Sequence, residues 1–123
     1  MSVHVVDADR VAVARAAVPP RAQVDRAVAA LALLADPTRL RVLRAVRGAG
    51  ELCVGDLAVA LGTSADAVGY ALRMLRTSGL VHTRRAGRLV YYRLADGFPE
   101  ALLDDCVHRL FHLVARGAER PAP

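Results

Sequence analysis

Apolar residues recur at helical spacing along most of the chain and at alternate positions in only one place. Positions i, i+3, i+4 and i+7 are apolar within four ranges: 22–34, 54–61, 65–76 and 100–116. In the helix that begins after Asp36, Leu40, Leu43 and Val46 face inward. After Gly79 the period changes to two, so that Val90, Tyr92 and Leu94 share one face of a strand. The pattern predicts a mainly α protein with a single β-hairpin.

Two short helices separated by a tight turn occupy the middle of the chain. The first ends at Gly62, and Thr63 or Ser64 then caps the second. The residues of the second helix that face the core are Val68, Ala71, Leu72 and Leu75. The residues on its outer face are Ala65, Asp66, Gly69, Tyr70, Arg73 and Arg76. This layout is that of a helix-turn-helix, whose second helix enters the major groove of DNA.

The hairpin that follows is rich in arginine. Ala86 and Gly87 form its turn, and Arg84, Arg85 and Arg88 lie near its tip. Such a tip suits contacts with phosphates, or with a minor groove beside a helix in the major groove. A solvated charged tip is the alternative, but the adjoining helices favour contact with DNA.

Further helices flank these elements. Residues 22–34 form a core helix with one buried face, and Asp36 caps a helix that ends at glycines 48 and 50. The last helix covers residues 100–116 and stops at Gly117. Its apolar stripe predicts a homodimer interface, as expected for a protein with a palindromic DNA site. The stripe consists of Leu102, Leu103, Cys106, Leu110 and Leu113.

The chain divides into three segments around one core. Residues 1–20 form an N-terminal arm with a helix after Asp7, residues 21–116 form the DNA-binding domain, and residues 117–123 form a flexible tail. A frayed terminus is the alternative for the arm. A chain of 123 residues, 54% of them hydrophobic, suffices for one compact domain.

Charge favours a polyanionic partner. The formal net charge is +5, and all 17 basic residues are arginine. Basic side chains near phosphates release condensed counterions, so nucleic acid is the leading partner, although genome base composition alone also produces such a bias. The longest apolar run, residues 27–35, is too short to cross a bilayer. We therefore expect a cytoplasmic protein with no membrane partner.

Enzymatic chemistry is not indicated, because no nucleophile, base and orienting group recur together. The two cysteines, Cys53 and Cys106, are too few for a disulfide scaffold and are expected to be free thiols. Cys53 stands at a helix start, where the amide dipoles lower a thiol pKa, whereas Cys106 belongs to the leucine stripe.

Four motifs resemble those of the ArsR/SmtB family of small winged-helix repressors. They are LLADPTRLRVL (33–43), ELCVGDLA (51–58), LRMLRTSGLV (72–81) and RRAGRLVYYRL (84–94). Their occurrence in order is more specific than any one of them. The resemblance implies a winged helix-turn-helix homodimer that leaves double-stranded operator DNA when an inducer binds. Asp66, Gly69 and Tyr70 depart from the residues common in the family's recognition helix, so we expect an operator of different sequence.

The resemblance implies two locations for an inducing metal ion. Cys53 stands where cadmium, lead and zinc sensors carry the first cysteine of a Cys-x-Cys pair, and His4 lies in the arm that supplies the other ligands. Gly55 replaces the second cysteine. Because two ligands do not hold a metal tightly, Asp7 or another group must complete this site.

The second location is the last helix. Asp96 and His112 match two of the four ligand positions of zinc, nickel and cobalt sensors, and the other two positions hold non-ligating residues. Apart from the family pattern, Asp105, His108 and His112 lie at i, i+3 and i+7, on one face of a helix. Imidazole and carboxylate together suit zinc, nickel or cobalt.

The sequence thus predicts a metal-responsive transcriptional repressor. Its cofactor is a divalent metal ion of the zinc, cadmium, nickel, cobalt or lead class, and its partners are operator DNA and a second copy of itself. Two alternatives stay open. One is a repressor of the same fold that senses thiol oxidation or persulfide through Cys53 and Cys106, and the other is a constitutive DNA-binding module without an inducer.

Overall fold

The structure is a computed structural model that describes residues 4–119, and the chain divides into two units between Leu34 and Ala35. In the first unit, helix α1 (Ala8–Ala17) begins after Asp7, whose carboxylate accepts a hydrogen bond from the backbone N–H of Arg10 at 3.0 Å. The predicted helix after Asp7 is therefore confirmed.

Helix α2 (Arg21–Leu34) lies where the first core helix was predicted, but it buries none of its residues. Val28 and Leu31 are 56% and 48% exposed. The prediction of a buried face was therefore wrong for a single chain. Helical spacing shows which residues can be buried together, but not which element covers them.

The second unit contains the remaining helices and one sheet. Its elements are α3 (Pro37–Ala49), β1 (Leu52–Cys53), α4 (Val54–Leu61), α5 (Ala65–Thr77), β2 (Val81–Ala86), β3 (Leu89–Leu94), α6 (Glu100–Asp105), a π-helical turn (Cys106–Leu110) and α7 (Phe111–Glu119). The strands form an antiparallel sheet in the order β1-β3-β2. This arrangement confirms a mainly α fold with a β-hairpin wing.

The core of the second unit lies where α3, α4 and α5 meet the base of the hairpin. Its fully buried side chains are Val42, Leu43, Val46, Leu57, Val68, Leu72, Leu75, Val81 and Leu103. Asp36 caps α3 by accepting from the backbone N–H of Arg39 at 2.9 Å, as predicted. Gly50, at φ 88°, ends α3, and Gly48 lies inside it.

The sheet differs from the predicted hairpin in two respects. Strand β1 was not predicted, because two residues are too short to show an alternating pattern. Its Leu52 and Cys53 pair with Tyr92 and Tyr91 of β3. The two-residue turn is Gly87 and Arg88 rather than Ala86 and Gly87, since Ala86 already pairs with Leu89.

The last helix is interrupted and longer than predicted. The π-helical turn separates α6 from α7, and α7 continues through Gly117 to Glu119. Residues 117–119 therefore do not belong to a tail, and residues 120–123 lie outside the described part. The apolar stripe splits, since Leu103 is buried while Leu102, Leu110 and Leu113 are exposed. None of the described helices is both long and apolar enough to cross a membrane.

Candidate nucleic-acid interface and metal ligands

Helix α5 has the features of a recognition helix. Ser64 is its N-cap, with Oγ accepting from the backbone N–H of Ala67 at 3.1 Å. Its buried residues are the predicted ones: Val68, Ala71, Leu72 and Leu75. The opposite face is exposed, with Tyr70 60% accessible. The exposed side chains predicted to contact DNA are Ser64, Ala65, Asp66, Tyr70, Arg73 and Arg76.

The turn before α5 is held by backbone hydrogen bonds and by an arginine from α3. Gly62 adopts a left-handed conformation at φ 63°, and the backbone N–H of Thr63 donates to the Ala58 carbonyl at 3.1 Å. Thr63 is half-buried and is not the cap. Arg41 Nη2 donates to the Leu61 carbonyl at 2.9 Å, where a cation complements the carboxyl end of α4. The periodicity gave no sign of this contact.

The wing arginines are not equivalent. Arg84 is paired with Glu51: its Nε donates to Oε2 at 3.2 Å and its Nη2 donates to Oε1. Its Cζ also lies 4.8 Å from the centre of the Tyr91 ring. Arg85 and Arg88 are exposed and make no ion pair within residues 4–119. Glu51 was missed by the sequence analysis, because it lies 33 residues from Arg84.

The Glu51–Arg84 pair changes the ionisation of both groups. The hydrogen bond from Arg84 lowers the pKa of Glu51, and the same bond raises the pKa of Arg84. Asp96 behaves similarly, since the hydrogen bond from Arg93 at 2.9 Å lowers its pKa. Asp96, predicted as a metal ligand, is therefore already engaged by an arginine.

The histidines and carboxylates of the last helix also have arginine neighbours. Arg44 Nη2 lies 3.3 Å from His108 Nε2, and Arg44 is ion-paired with Asp104 as well. Asp105 Oδ1 lies 3.4 Å from Arg109 Nε. The His112 ring meets the Phe111 ring edge to face, with centroids 5.5 Å apart.

No group of three metal-ligating side chains forms within the described part of one chain. Asp105, His108 and His112 therefore do not make a complete site alone. The prediction that they share a face assumed a regular α-helix, whereas the π-helical turn covers positions 106–110 and changes the angle between successive side chains. Any site that uses them needs further ligands.

The other predicted site draws on both units. Cys53 is the last residue of β1, is only 8% exposed, and is a free thiol. His4 is exposed and belongs to the first unit, so its pairing with Cys53 stays a prediction. Cys106 is a half-buried free thiol in the π-helical turn.

A capped recognition helix beside a basic two-stranded wing defines a winged helix-turn-helix DNA-binding protein. Residues 36–83 match the model of the arsR family of bacterial regulatory proteins. The HTH-type transcriptional regulator NmtR of Mycobacterium tuberculosis is 42% identical over 99 residues, which cover 76% of this chain and 82% of that protein. The chain belongs to the ArsR family of transcriptional regulators.

Other relatives match over shorter stretches. The transcriptional repressor SmtB homolog of Synechocystis sp. is 56% identical over 63 residues, 51% of this chain and 47% of that protein. The cadmium resistance transcriptional regulatory protein CadC homolog of Staphylococcus aureus is 35% identical over 71 residues, 58% and 59% of the two chains. The chain thus spans about half the length of these two relatives.

Solved structures agree on the fold. The AntR antimony-specific transcriptional repressor superimposes with a TM-score of 0.67 at 30% identity, covering 82% of this chain and 87% of that one. The homodimeric winged helix-turn-helix DNA-binding domain of Mb0332 from Mycobacterium bovis gives a TM-score of 0.60 at 28% identity, covering 84% and 92%.

Proposed function

We propose that this protein is a transcriptional repressor that binds a palindromic operator as a homodimer and is released by a divalent metal ion. The observation that carries the proposal is the exposed face of α5 together with Arg85 and Arg88 at the wing tip, which form no ion pair with any residue from 4 to 119. A helix of this kind fits the major groove, and the wing lies beside it over the backbone or the minor groove.

The exposed residues of α5 suit different groups on DNA. Arg73 and Arg76 suit phosphates or guanine edges, and Tyr70 offers a hydroxyl and an apolar ring. Asp66 repels phosphates but accepts hydrogen bonds from cytosine. We assign phosphate contacts at the wing to Arg85 and Arg88, since both are free of ion pairs in the part of the chain that the structure describes.

An exposed apolar surface near the carboxyl end supports a homodimer. Leu110, Phe111, Leu113 and Val114 are between 52% and 64% exposed. An apolar patch of this kind marks an interaction surface, and a two-fold dimer presents two recognition helices to a palindromic operator. The homodimeric state of the Mb0332 domain supports the same assembly.

The inducing metal is proposed from the relatives and from the donors on this chain. One relative is a cadmium resistance regulator and one structural neighbour is an antimony-specific repressor. His108, His112 and Asp105 are the leading ligands, and Asp96 is a further one. Because the described residues of one chain bring no three such donors together, the donors of a second subunit complete the site in this proposal. His4 with Cys53 is the alternative site.

Release by metal requires a difference in affinity between two states. The metal must bind the dimer that cannot hold DNA more tightly than the dimer that can. A coupling free energy of about 1–3 kcal/mol is typical of such switches. A site shared between subunits provides this difference, because its geometry depends on how the subunits are arranged.

Fluorescence anisotropy tests the proposal, with an operator selected from a random-sequence duplex library. The protein is titrated onto this operator, and zinc, cadmium, nickel, cobalt, lead and then an oxidant are added in separate arms. We expect one metal to release the DNA and a His108→Ala/His112→Ala double variant to stay bound. His82→Ala controls for the loss of an exposed histidine that is not a proposed ligand, although its charge acts on Asp96.

Three outcomes revise the proposal. Release that survives the double histidine change but not Cys53→Ser moves the site to Cys53 and the arm. Release by the oxidant alone replaces metal sensing with thiol sensing through Cys53 and Cys106. Failure to bind any duplex at low salt removes the DNA-binding function itself.

A further inference from the structure

We propose that Glu51 takes the place of a DNA phosphate for Arg84 and withholds this arginine from the operator. The wing then contacts the DNA backbone through Arg85 and Arg88 alone. This inference rests on the proposed DNA-binding function, and it assigns to Glu51 a role in setting the affinity and salt dependence of that function.

The contact between Glu51 and Arg84 uses the part of the guanidinium that binds phosphates. Nε donates to Oε2 at 3.2 Å and Nη2 donates to Oε1, so two parallel hydrogen bonds join the guanidinium to one carboxylate. Arginine binds carboxylates and phosphates through this same fork of donors. Glu51 occupies the edge formed by Nε and Nη2, and its negative charge repels a phosphate that approaches the remaining donors on Nη1 and Nη2.

The position of Arg84 in the sheet reinforces the contact. Arg84 on β2 pairs with Tyr91 on β3, and Tyr91 pairs in turn with Cys53 on β1. Glu51 precedes Cys53 by two residues and so projects to the same face. The Arg84 side chain thus extends from β2 across the central strand β3 to reach Glu51. Its Cζ lies 4.8 Å from the centre of the Tyr91 ring on β3. The cation gains a favourable interaction with the ring in addition to the ion pair.

The neighbouring arginines lack such a partner. Alternation along the strand places Arg84 and Arg85 on opposite faces, and Arg88 lies in the turn. Within positions 4–119, neither Arg85 nor Arg88 makes an ion pair. Of the four arginines of the wing, Arg84 is paired with Glu51 and Arg93 with Asp96, which leaves Arg85 and Arg88, the two nearest the tip.

The salt dependence of binding measures how many phosphates a protein neutralises. Each phosphate contact on duplex DNA adds about 0.9 to the slope of log affinity against log salt. Release of Arg84 from Glu51 is therefore expected to steepen the slope by about 0.9. It is also expected to raise the affinity roughly threefold to tenfold at about 0.1 M salt.

The test measures operator affinity by anisotropy over a range of salt concentrations for the wild type and four variants. Glu51→Gln is expected to show the steeper slope and the higher affinity, because the neutral amide no longer holds the guanidinium. Arg84→Met alone is expected to keep the wild-type slope. The double variant Glu51→Gln/Arg84→Met is expected to lose the gain of Glu51→Gln.

Asp56→Asn is the matched control. Asp56 is an exposed carboxylate in the first turn of α4, without an ion pair among the described residues. Its replacement adds the same charge as Glu51→Gln but frees no arginine. We expect the wild-type slope from this variant, which separates a specific release of Arg84 from a general change in net charge.

Three other outcomes would contradict the proposed role of Glu51. A slope reduced by about one in Arg84→Met shows that Arg84 contacts a phosphate despite Glu51, and this overturns the inference even if Glu51→Gln does not fold. Normal wild-type binding with an unchanged slope in a folded Glu51→Gln protein also overturns it, and leaves the proposed function intact. A wild-type protein that binds no DNA removes the proposed function and this inference together.

Discussion

Nη2 of Arg44 on α3 lies 3.3 Å from Nε2 of His108 in the π-helical turn. A guanidinium only donates hydrogen bonds, so a hydrogen bond between the two groups requires Nε2 of His108 as the acceptor. A metal ion bound at Nε2 must therefore displace Arg44. The contact joins a proposed ligand to α3, which packs against the recognition helix α5.

Loss of Arg44 is expected to strengthen metal binding at His108. The displaced hydrogen bond has a net value near 1 kcal/mol, so Arg44→Met should lower the metal Kd about twofold to tenfold. Chelator competition with the proposed metals measures this change. Arg85→Met removes the same charge from the wing and is expected to leave the Kd unchanged. Equal affinity in wild type and Arg44→Met would show that the metal does not use Nε2 of His108.

Asp104 links the last helix to α3 through two arginines. Its carboxylate is ion-paired with Arg44, and Oδ2 lies 3.6 Å from Arg47 Nη2. These side chains are partly exposed, so Asp104→Asn is expected to lower the free energy of unfolding by about 1 kcal/mol at most. Urea denaturation measures the loss. Asp105→Asn, which breaks only an exposed pair within the helix, should cost less than half as much.

The core face of α5 should govern stability. Leu72 is fully buried, so Leu72→Ala removes apolar contacts and leaves a cavity. We expect a loss of about 2–5 kcal/mol in the free energy of unfolding, measured by urea denaturation. Arg73→Ala, one residue away on the exposed face, should change stability by less than about 0.5 kcal/mol and should weaken DNA binding instead.

The apolar surface of α7 should govern assembly. Leu113 is 62% exposed in the single chain, and Leu113→Glu places a charge in the proposed interface. Sedimentation velocity is expected to show a shift from dimer to monomer. Val59→Glu is the control, since Val59 is 83% exposed on α4 and lies outside this surface. A dimer that persists in Leu113→Glu would place the interface elsewhere.

The ionisation of Glu51 should report on Arg84 directly. The hydrogen bond from Arg84 lowers the pKa of Glu51 in the folded protein, so the pair stabilises the fold above the ordinary pKa of a glutamate. This stabilisation is lost as the pH falls through the lowered pKa. In Arg84→Met the pKa of Glu51 is expected to rise toward its ordinary range, as followed by carboxyl NMR chemical shifts. An unchanged pKa would mean that the pair does not form in solution.

Sequence patterns predicted the features that depend only on residues close together in the chain. The spacing of Val68, Ala71, Leu72 and Leu75 predicted the buried face of α5, because it depends on residues within a few positions. Asp36 was predicted as a cap for the same reason, whereas the cap of α5 was left open between Thr63 and Ser64, and the structure has Ser64. The order of these elements predicted a helix-turn-helix followed by a hairpin, and the resemblance to the ArsR/SmtB family implied the winged helix-turn-helix fold.

Contacts between distant positions could not be predicted in this way. Glu51 and Arg84 meet only because β1 pairs with β3, and a two-residue strand has no recognisable period. The π-helical turn has no apolar signature either, so the angles calculated for Asp105, His108 and His112 assumed a regular helix. The exposure of α2 depends on which other element covers its apolar face. The spacing of apolar residues within α2 does not specify that element.

Cys53 belongs to two elements at once. It ends β1, where it pairs with Tyr91 of the wing, and it is the N-cap residue of α4, the first helix of the helix-turn-helix. Cys53 therefore joins the central strand of the wing directly to α4, and residues 78–80 make a second connection, from α5 to β2. In the proposed complex, the distance between the major-groove contact of α5 and the backbone contact of the wing is thus set in part by β1, the shortest element of the fold.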